Sequence, residues 1–168
     1  RLARSLGELA MTAPMSDAAL LEMHRELVAR NGVEEGVIYL QITRGAEDRD
    51  FVWSEDLTPT VTAFTQAKAI VESPLARRGA TVIAIDDLRW ARRDIKTVQL
   101  LWPSLAKMAA KRAGKDDAWM VEDGLVTEGT SNNAYIVTRD GTIVTRQLSE
   151  SILHGITRAA VLRFADEA

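Results

Sequence analysis

The sequence predicts an α+β protein, with parts of two domains on either side of a linker. Three observations carry that expectation. Apolar residues at helical spacing alternate with short β-forming runs in the order ααββ, linker, βαββββα. The stretch Lys68–Gly79 holds Ser73-Pro74 and Arg77-Arg78-Gly79 and shows no apolar rhythm, so it reads as the linker. Hydrophobic residues make up 46% of the 168 residues and charged residues 27%, which excludes a disordered or low-complexity chain. The parts expected are residues 1–73, a linker at 74–79, and residues 80–168.

Each element has a local cause. Leu2, Leu6 and Leu9 recur at helical spacing over residues 1–10. After the connector Thr12–Ser16, Ser16 can cap a second amphipathic helix from Asp17 to Arg30, and Asn31-Gly32 can stop it. Val37–Thr43 is dense in β-formers, and Thr60–Gln66 forms a second strand just past Pro59. Ala80–Ile85 reads as a strand. Leu100–Ala113 reads as a helix, with Pro103 kinking it or lying in its first turn. Three strands follow at Ala118–Glu122, Leu125–Thr127 and Asn133–Thr138. The last pairs with Thr142–Thr145 across Asp140-Gly141. Residues 157–168 read as a helix still running.

Composition narrows the function classes. Lys plus Arg is 21 and Asp plus Glu is 24, so the balance is not that of a general nucleic-acid binder. No apolar run approaches the ~20 residues of a membrane span. With no cysteine there is no thiolate nucleophile, disulfide or Cys-type metal site; His24 and His154 are far apart and outside any metal-ligand spacing. The default location is cytoplasmic. The chain opens on Arg1 in mid-helix pattern and closes without a helix stop, so both ends read as cut from something longer.

Three short stretches could carry chemistry. Lys107, Lys111 and Lys115 share one helix face and read as solvated. Lys96 differs: it stands among apolar residues in Asp94-Ile-Lys-Thr-Val-Gln-Leu-Leu101, just before a helix. Burial penalises an ammonium, and a neutral amine is what Schiff-base chemistry requires. In Thr127-Glu-Gly-Thr-Ser-Asn-Asn133, Glu128 is either a solvated turn carboxylate or one pinned beside a cofactor. In Leu153-His-Gly-Ile-Thr-Arg158, Gly155 and Thr157 stand where a helix begins; this is plain capping or a phosphate site.

Taken together and in order, Asp94-Ile-Lys96, Val126–Asn133 and Gly155-Ile-Thr-Arg158 resemble the fold-type IV pyridoxal-phosphate enzymes. These include the D-amino-acid and branched-chain aminotransferases and aminodeoxychorismate lyase. Tyr39-Leu-Gln-Ile-Thr-Arg-Gly45 and Arg89-Trp90 are nearest the D-amino-acid aminotransferase branch. The likeness runs the whole length of the chain.

The resemblance implies a two-domain enzyme, D-amino-acid/branched-chain aminotransferase-like. Residues 1–73 would be the C-terminal part of the small α/β domain, and residues 80–168 the N-terminal part of the large cofactor domain. Roughly fifty residues would precede Arg1 and roughly a hundred follow Ala168. It implies pyridoxal 5'-phosphate as cofactor, held as a Schiff base by Lys96, which would then shuttle a proton. Glu128 would keep the ring nitrogen protonated, which supports the cofactor's electron sink. Arg1, Gly155, Ile156 and Thr157 would hold the phosphate, and Leu153 would pack on the ring.

On the substrate side the resemblance points to Tyr39, Arg49 and Phe51. Arg49 can form the bidentate pair that a carboxylate favours, but Phe51 stands where the D-amino-acid branch has His. Gln99 likewise stands where that branch usually has Asn. The implied activity is transfer of an amino group from a D-alanine-type donor to a 2-oxo acid such as 2-oxoglutarate, by a homodimer. The alternatives are an (R)-amine or branched-chain amino acid transaminase, a lyase of the aminodeoxychorismate type, and a non-catalytic domain that keeps the fold.

Overall fold

The computed structural model describes residues 1–167, which divide into two units: Leu6–Arg78, and Arg1–Ser5 with the chain from Gly79 onward. Helix α1 (Leu2–Glu8) runs across the first boundary. In the unit Leu6–Arg78, helix α2 (Asp17–Asn31) begins where Ser16 Oγ accepts from the Ala19 N–H at 3.2 Å. It ends at Gly32, whose φ of 59° is the left-handed conformation that glycine adopts at least cost. Strands β1 (Gly36–Thr43) and β2 (Thr60–Ala67) pair antiparallel from Gly36↔Ala67 to Thr43↔Thr60. Asn31 ties α2 to this ribbon through Thr65 Oγ1 at 2.9 Å.

The expected linker is not structureless. Helix α3 (Pro74–Arg78) forms inside it, with Ser73 Oγ accepting from the Ala76 N–H at 3.1 Å. The Ser-Pro pair that reads as a breaker is a helix start, because proline is pre-set for the first helical position and needs no N–H there. The units part between Arg78 and Gly79, within the 74–79 stretch expected as the linker. At the start of the chain, Arg1–Ser5 groups with the later unit because Arg4 pairs with Asp94 at 2.5 Å and Ser5 Oγ accepts from the Lys96 N–H at 3.3 Å.

In the later unit, strands β3 (Val82–Asp86), β4 (Asp117–Glu122) and β5 (Leu125–Gly129) form a sheet of order β3-β4-β5. β3 and β4 are parallel, so a crossover must join them, and helix α4 (Leu101–Arg112) supplies it. Pro103 lies in the first turn of α4, where an N–H has no helical partner to lose. Ala106 and Ala110 of α4 pack against Ala118, flanked by Ile83 and Ile85. Small side chains let the helix lie close to the sheet.

β4 and β5 are joined by Asp123-Gly124, both at positive φ, as a tight hairpin turn demands. β6 (Tyr135–Val137) pairs with β7 (Ile143–Thr145) across the expected Asp140-Gly141 turn. Asn133, expected at the start of that strand, lies outside it because its side chain is engaged elsewhere. Helix α5 (Ile156–Glu167) closes the described residues. No helix among them is long and apolar enough to cross a membrane.

Candidate active site

The ends of β3 and β5 carry the charged core of the later unit. Thr127 and Glu128 are both buried near the end of β5. The Thr127 hydroxyl lies 2.6 Å from Asp87 Oδ2 and 3.1 Å from the Met120 carbonyl. Asp87 in turn is gripped by Arg89, Nε to Oδ1 at 2.8 Å and Nη2 to Oδ2 at 2.6 Å. The remaining Arg89 nitrogen, Nη1, donates to Glu128 Oε1. Glu128 Oε2 accepts from Asn133 Nδ2 at 2.9 Å and from the Leu153 N–H at 3.1 Å.

This setting shifts the carboxyls in opposite directions. Burial pushes Glu128 above the usual carboxylate range, against the pull of Arg89 and the Leu153 N–H. Burial also pushes Asp87 up, but hydrogen bonds from Arg89 and Thr127 outweigh it and hold Asp87 below its ordinary value.

Glu128 opens on a cavity of about 490 Å³, a volume ordinary for a small-molecule site. Arg1, Lys96, Glu128, Leu153, Gly155, Ile156 and Thr157, dispersed over the whole sequence, all line it. Lys96 is exposed on this cavity rather than enclosed by apolar neighbours, because Ile95, not Lys96, is the residue buried in the core. Loss of water around the amine, and then the charge of Arg1, draw the Lys96 ammonium below its ordinary range; Glu128 opposes both. A shifted lysine facing a shifted carboxylate in one concave site is the pattern of a functional centre.

At the far end of the motif order, the first helical hydrogen bond of α5 runs from the Ala159 N–H to the Gly155 carbonyl. The N–H groups of Ile156, Thr157 and Arg158 therefore stand ahead of the helix's own ladder, at its positive end. Gly155 occupies the cap position, so Thr157 lies inside the first turn and is not the cap. The Asn133 amide bridges Glu128 to the Leu153 carbonyl, 3.0 Å away, and packs against Gly155 where a Cβ would stand.

Tyr39, Arg49 and Phe51 belong to the other unit. There Tyr39 stacks on Phe64, with ring centroids 4.9 Å apart, and donates to Gln41 Oε1 at 2.6 Å. The Arg49 guanidinium lies over the Phe51 ring at 5.4 Å, and Phe51 is 87% exposed. Sequence reasoning missed Asp87 and the structural part of Arg89 and Asn133. Arg89-Trp90 carries only a branch likeness in sequence, and Asn133 is one amide in a polar run.

Comparison with known proteins bears on the family. The amino-transferase class IV family profile matches residues 1–168. A D-alanine aminotransferase of Bacillus licheniformis is 40% identical over 167 residues, which is 99% of this chain and 58% of that protein. The branched-chain amino acid aminotransferase of Escherichia coli has a TM-score of 0.85 at 20% identity, covering 99% of this chain and 57% of that one, a likeness of fold alone. The branched-chain aminotransferase of the thermophilic archaeon Thermoproteus uzoniensis, solved with norvaline, has a TM-score of 0.82 at 25% identity and covers 99% and 57%. The chain thus spans less than two thirds of the length of the curated relatives it matches. A profile match over every residue, with a mixed α/β fold to accompany it, shows that this chain belongs to the class IV aminotransferases, the fold-type IV pyridoxal-phosphate enzymes.

Proposed function

We propose that the protein transfers the amino group of a D-alanine-type donor to a 2-oxo acid such as 2-oxoglutarate, acting as a homodimer with pyridoxal phosphate in the Lys96–Glu128 cavity. The observation that carries the reading is the meeting of Lys96, Glu128 and the first turn of α5 on one cavity, in a chain 40% identical to a D-alanine aminotransferase. The residues present fit the cofactor. They offer an amine, a buried acid for a ring nitrogen, and the unladdered N–H groups at the start of α5 with Arg1 for a phosphate.

When bound, pyridoxal phosphate supplies an electron sink for the pair left at the substrate Cα. The chain's own residues do the rest. Lys96 Nζ would hold the cofactor at its aldehyde carbon and, once released, carry a proton from the substrate Cα to that carbon. Loss of water around the amine and the nearby Arg1 charge favour its neutral form, the form that takes up a proton. Glu128 would keep a proton on the ring nitrogen. The Ile156 and Thr157 N–H groups, the Thr157 hydroxyl and Arg1 would bind the phosphate, and Leu153 would pack on the ring. Arg49 would take the substrate carboxylate, with Tyr39 and Phe51 shaping specificity.

The test uses the full-length protein loaded with pyridoxal phosphate. Borohydride reduction followed by peptide mapping is expected to place the cofactor on Lys96. Lys96→Ala is expected to abolish that label and to slow the half-reaction by about 10²-fold or more. D-Alanine is expected to convert the bound cofactor faster than L-leucine does; conversion by L-leucine only would sink the D-specific reading. The exposed apolar ring of Phe51 beside Arg49 favours a second reading, an (R)-amine donor. Faster conversion of (R)-1-phenylethylamine than of any D-amino acid would select it.

A further inference from the structure

Two carboxylates, Asp87 and Glu128, share one guanidinium. Arg89 spends its fork on both oxygens of Asp87 and reaches Glu128 with its one remaining nitrogen. Arg93 does not relieve the shortage. It is paired in the same forked way with Glu122, at 2.9 and 2.7 Å, and comes only within 3.6 Å of Asp87. Three carboxylates thus face two guanidiniums. The Asp87, Arg89, Arg93 and Glu128 side chains are almost wholly enclosed, with Glu122 at the more open edge. An excess charge in such a place must be relieved, by a proton on a carboxyl or by a cation beside it.

Of the three carboxylates, Glu128 alone lines the cavity, with Arg89 and Arg93, already engaged by Asp87 and Glu122, beside it. The other titratable groups on that side are Lys96, Arg1 and Tyr135. On the proposed reading, on which this inference rests, Lys96 is committed to the cofactor's aldehyde carbon and Arg1 to its phosphate. The cation left to Glu128 is then a protonated ring nitrogen. We propose that Asp87 and Arg89 act as a balanced pair that sets the charge of Glu128, and through it the preference of the site for a protonated ring nitrogen. Arg89 favours the ionised form of Glu128 against burial. Asp87 cancels enough of the Arg89 charge that the cavity end of the network stays negative. Both are positioning residues: neither lies in the reaction path, and both act through Glu128.

The two members have opposite effects on Glu128. Without Arg89 the buried carboxyl faces only Asp87 and takes up a proton more readily. Without the Asp87 charge, Arg89 serves Glu128 alone, and a repelling carboxylate is gone. A network that merely holds the fold would respond in the same direction to either loss.

The experiment compares pyridoxal phosphate with its 1-deaza analogue, in which C–H replaces the ring nitrogen. Both are titrated into the full-length apoprotein by fluorescence across pH 5 to 9, with circular dichroism to verify folding. The unaltered protein is expected to prefer pyridoxal phosphate above a midpoint pH. Arg89→Met should move that midpoint up by roughly one pH unit or more, and Arg89→Lys, which keeps the charge but loses the fork, should move it up by less. Asp87→Asn should move it down. If Arg89→Met does not fold, the opposed shifts of Arg89→Lys (up) and Asp87→Asn (down) carry the test. Equal weakening of both compounds with an unmoved midpoint overturns the inference and leaves the cofactor reading intact. Binding of neither compound to the unaltered protein overturns both.

Discussion

A Cβ at Gly155 would run into the Asn133 amide oxygen. That amide cannot swing away, because its nitrogen is held by Glu128 Oε2 at 2.9 Å and by the Leu153 carbonyl at 3.0 Å. Glycine is needed here for space, not for a left-handed backbone. Gly155→Ala is therefore expected to destabilise the protein by about 1–3 kcal/mol, the cost of forcing a methyl into a filled place. It should also loosen Glu128 and the first turn of α5 together. Thermal melts with and without pyridoxal phosphate would show both effects; an unchanged melt would mean that Asn133 yields freely. In sequence, Gly155 is legible as a helix-start glycine. Its reason is not, because the atom it makes room for comes from Asn133, in a different loop.

Among elements, the segment between β3 and α4 is held by the start of α1. Asp94 is enclosed, and Arg4 and Arg92 reach it from the solvent side at 2.5 and 3.1 Å. The bond from Arg92, with help from Arg4 and against burial, lowers the Asp94 carboxyl to about 2. A carboxyl lowered in the folded state adds stability that is fully present above its unfolded value of about 3.9 and is lost as pH falls toward 2. Because both arginines are partly solvated, screening trims that contribution to roughly 1–2 kcal/mol. Asp94→Asn should be less stable by about that amount at pH 6, and the gap should close between pH 4 and 2 in acid unfolding followed by circular dichroism. A constant gap down to pH 2 would remove the ion pairs from the cause. Lys96 follows two residues later with its N–H on Ser5 Oγ, so this clamp also fixes the backbone from which the amine enters the cavity.

Over the whole molecule, much apolar surface faces outward. Leu101, Leu105 and Met108 line an exposed stripe of α4, with Leu101 at 76%, while Ile156 and Phe164 are exposed on α5. The buried apolar set of the later unit is small, centred on Ala106, Ala110, Ala118, Met120 and Ile152. Patches of this size ordinarily mark surfaces that another part or another chain covers. Expressed as these 168 residues alone, the protein is expected to bind a hydrophobic dye and to melt over a broad range. A sharp cooperative melt without dye binding would show the exposed stripe to be tolerated.

Local sequence carries the family and, α3 apart, the order of elements. Both are written locally: Ser16 before α2 and Gly32 after it, the β-branched runs of β1 and β2, and the spaced Lys96, Glu128 and Gly155-Ile-Thr157 motifs. Through the family resemblance it also pointed to Arg1, Lys96, Glu128, Leu153, Gly155, Ile156 and Thr157, which are among the residues lining the cavity. It did not foresee the short helix α3 inside the linker stretch, since a Ser-Pro pair can start a helix as well as stop one. It set Lys96 among apolar residues; its side chain faces the cavity while Ile95 is the one buried, and loss of water still lowers the amine. Only the tertiary structure decided which charges meet. Arg89 lies between Asp87 and Glu128, Arg93 with Glu122, and Arg4 on Asp94. Apart from Asp87 and Arg89, which are near neighbours in sequence, these pairings join residues far apart along the chain, and no periodicity or spacing encodes them. They depend on the register of β3-β4-β5 and on low-dielectric burial, which exist only once the sheet has formed.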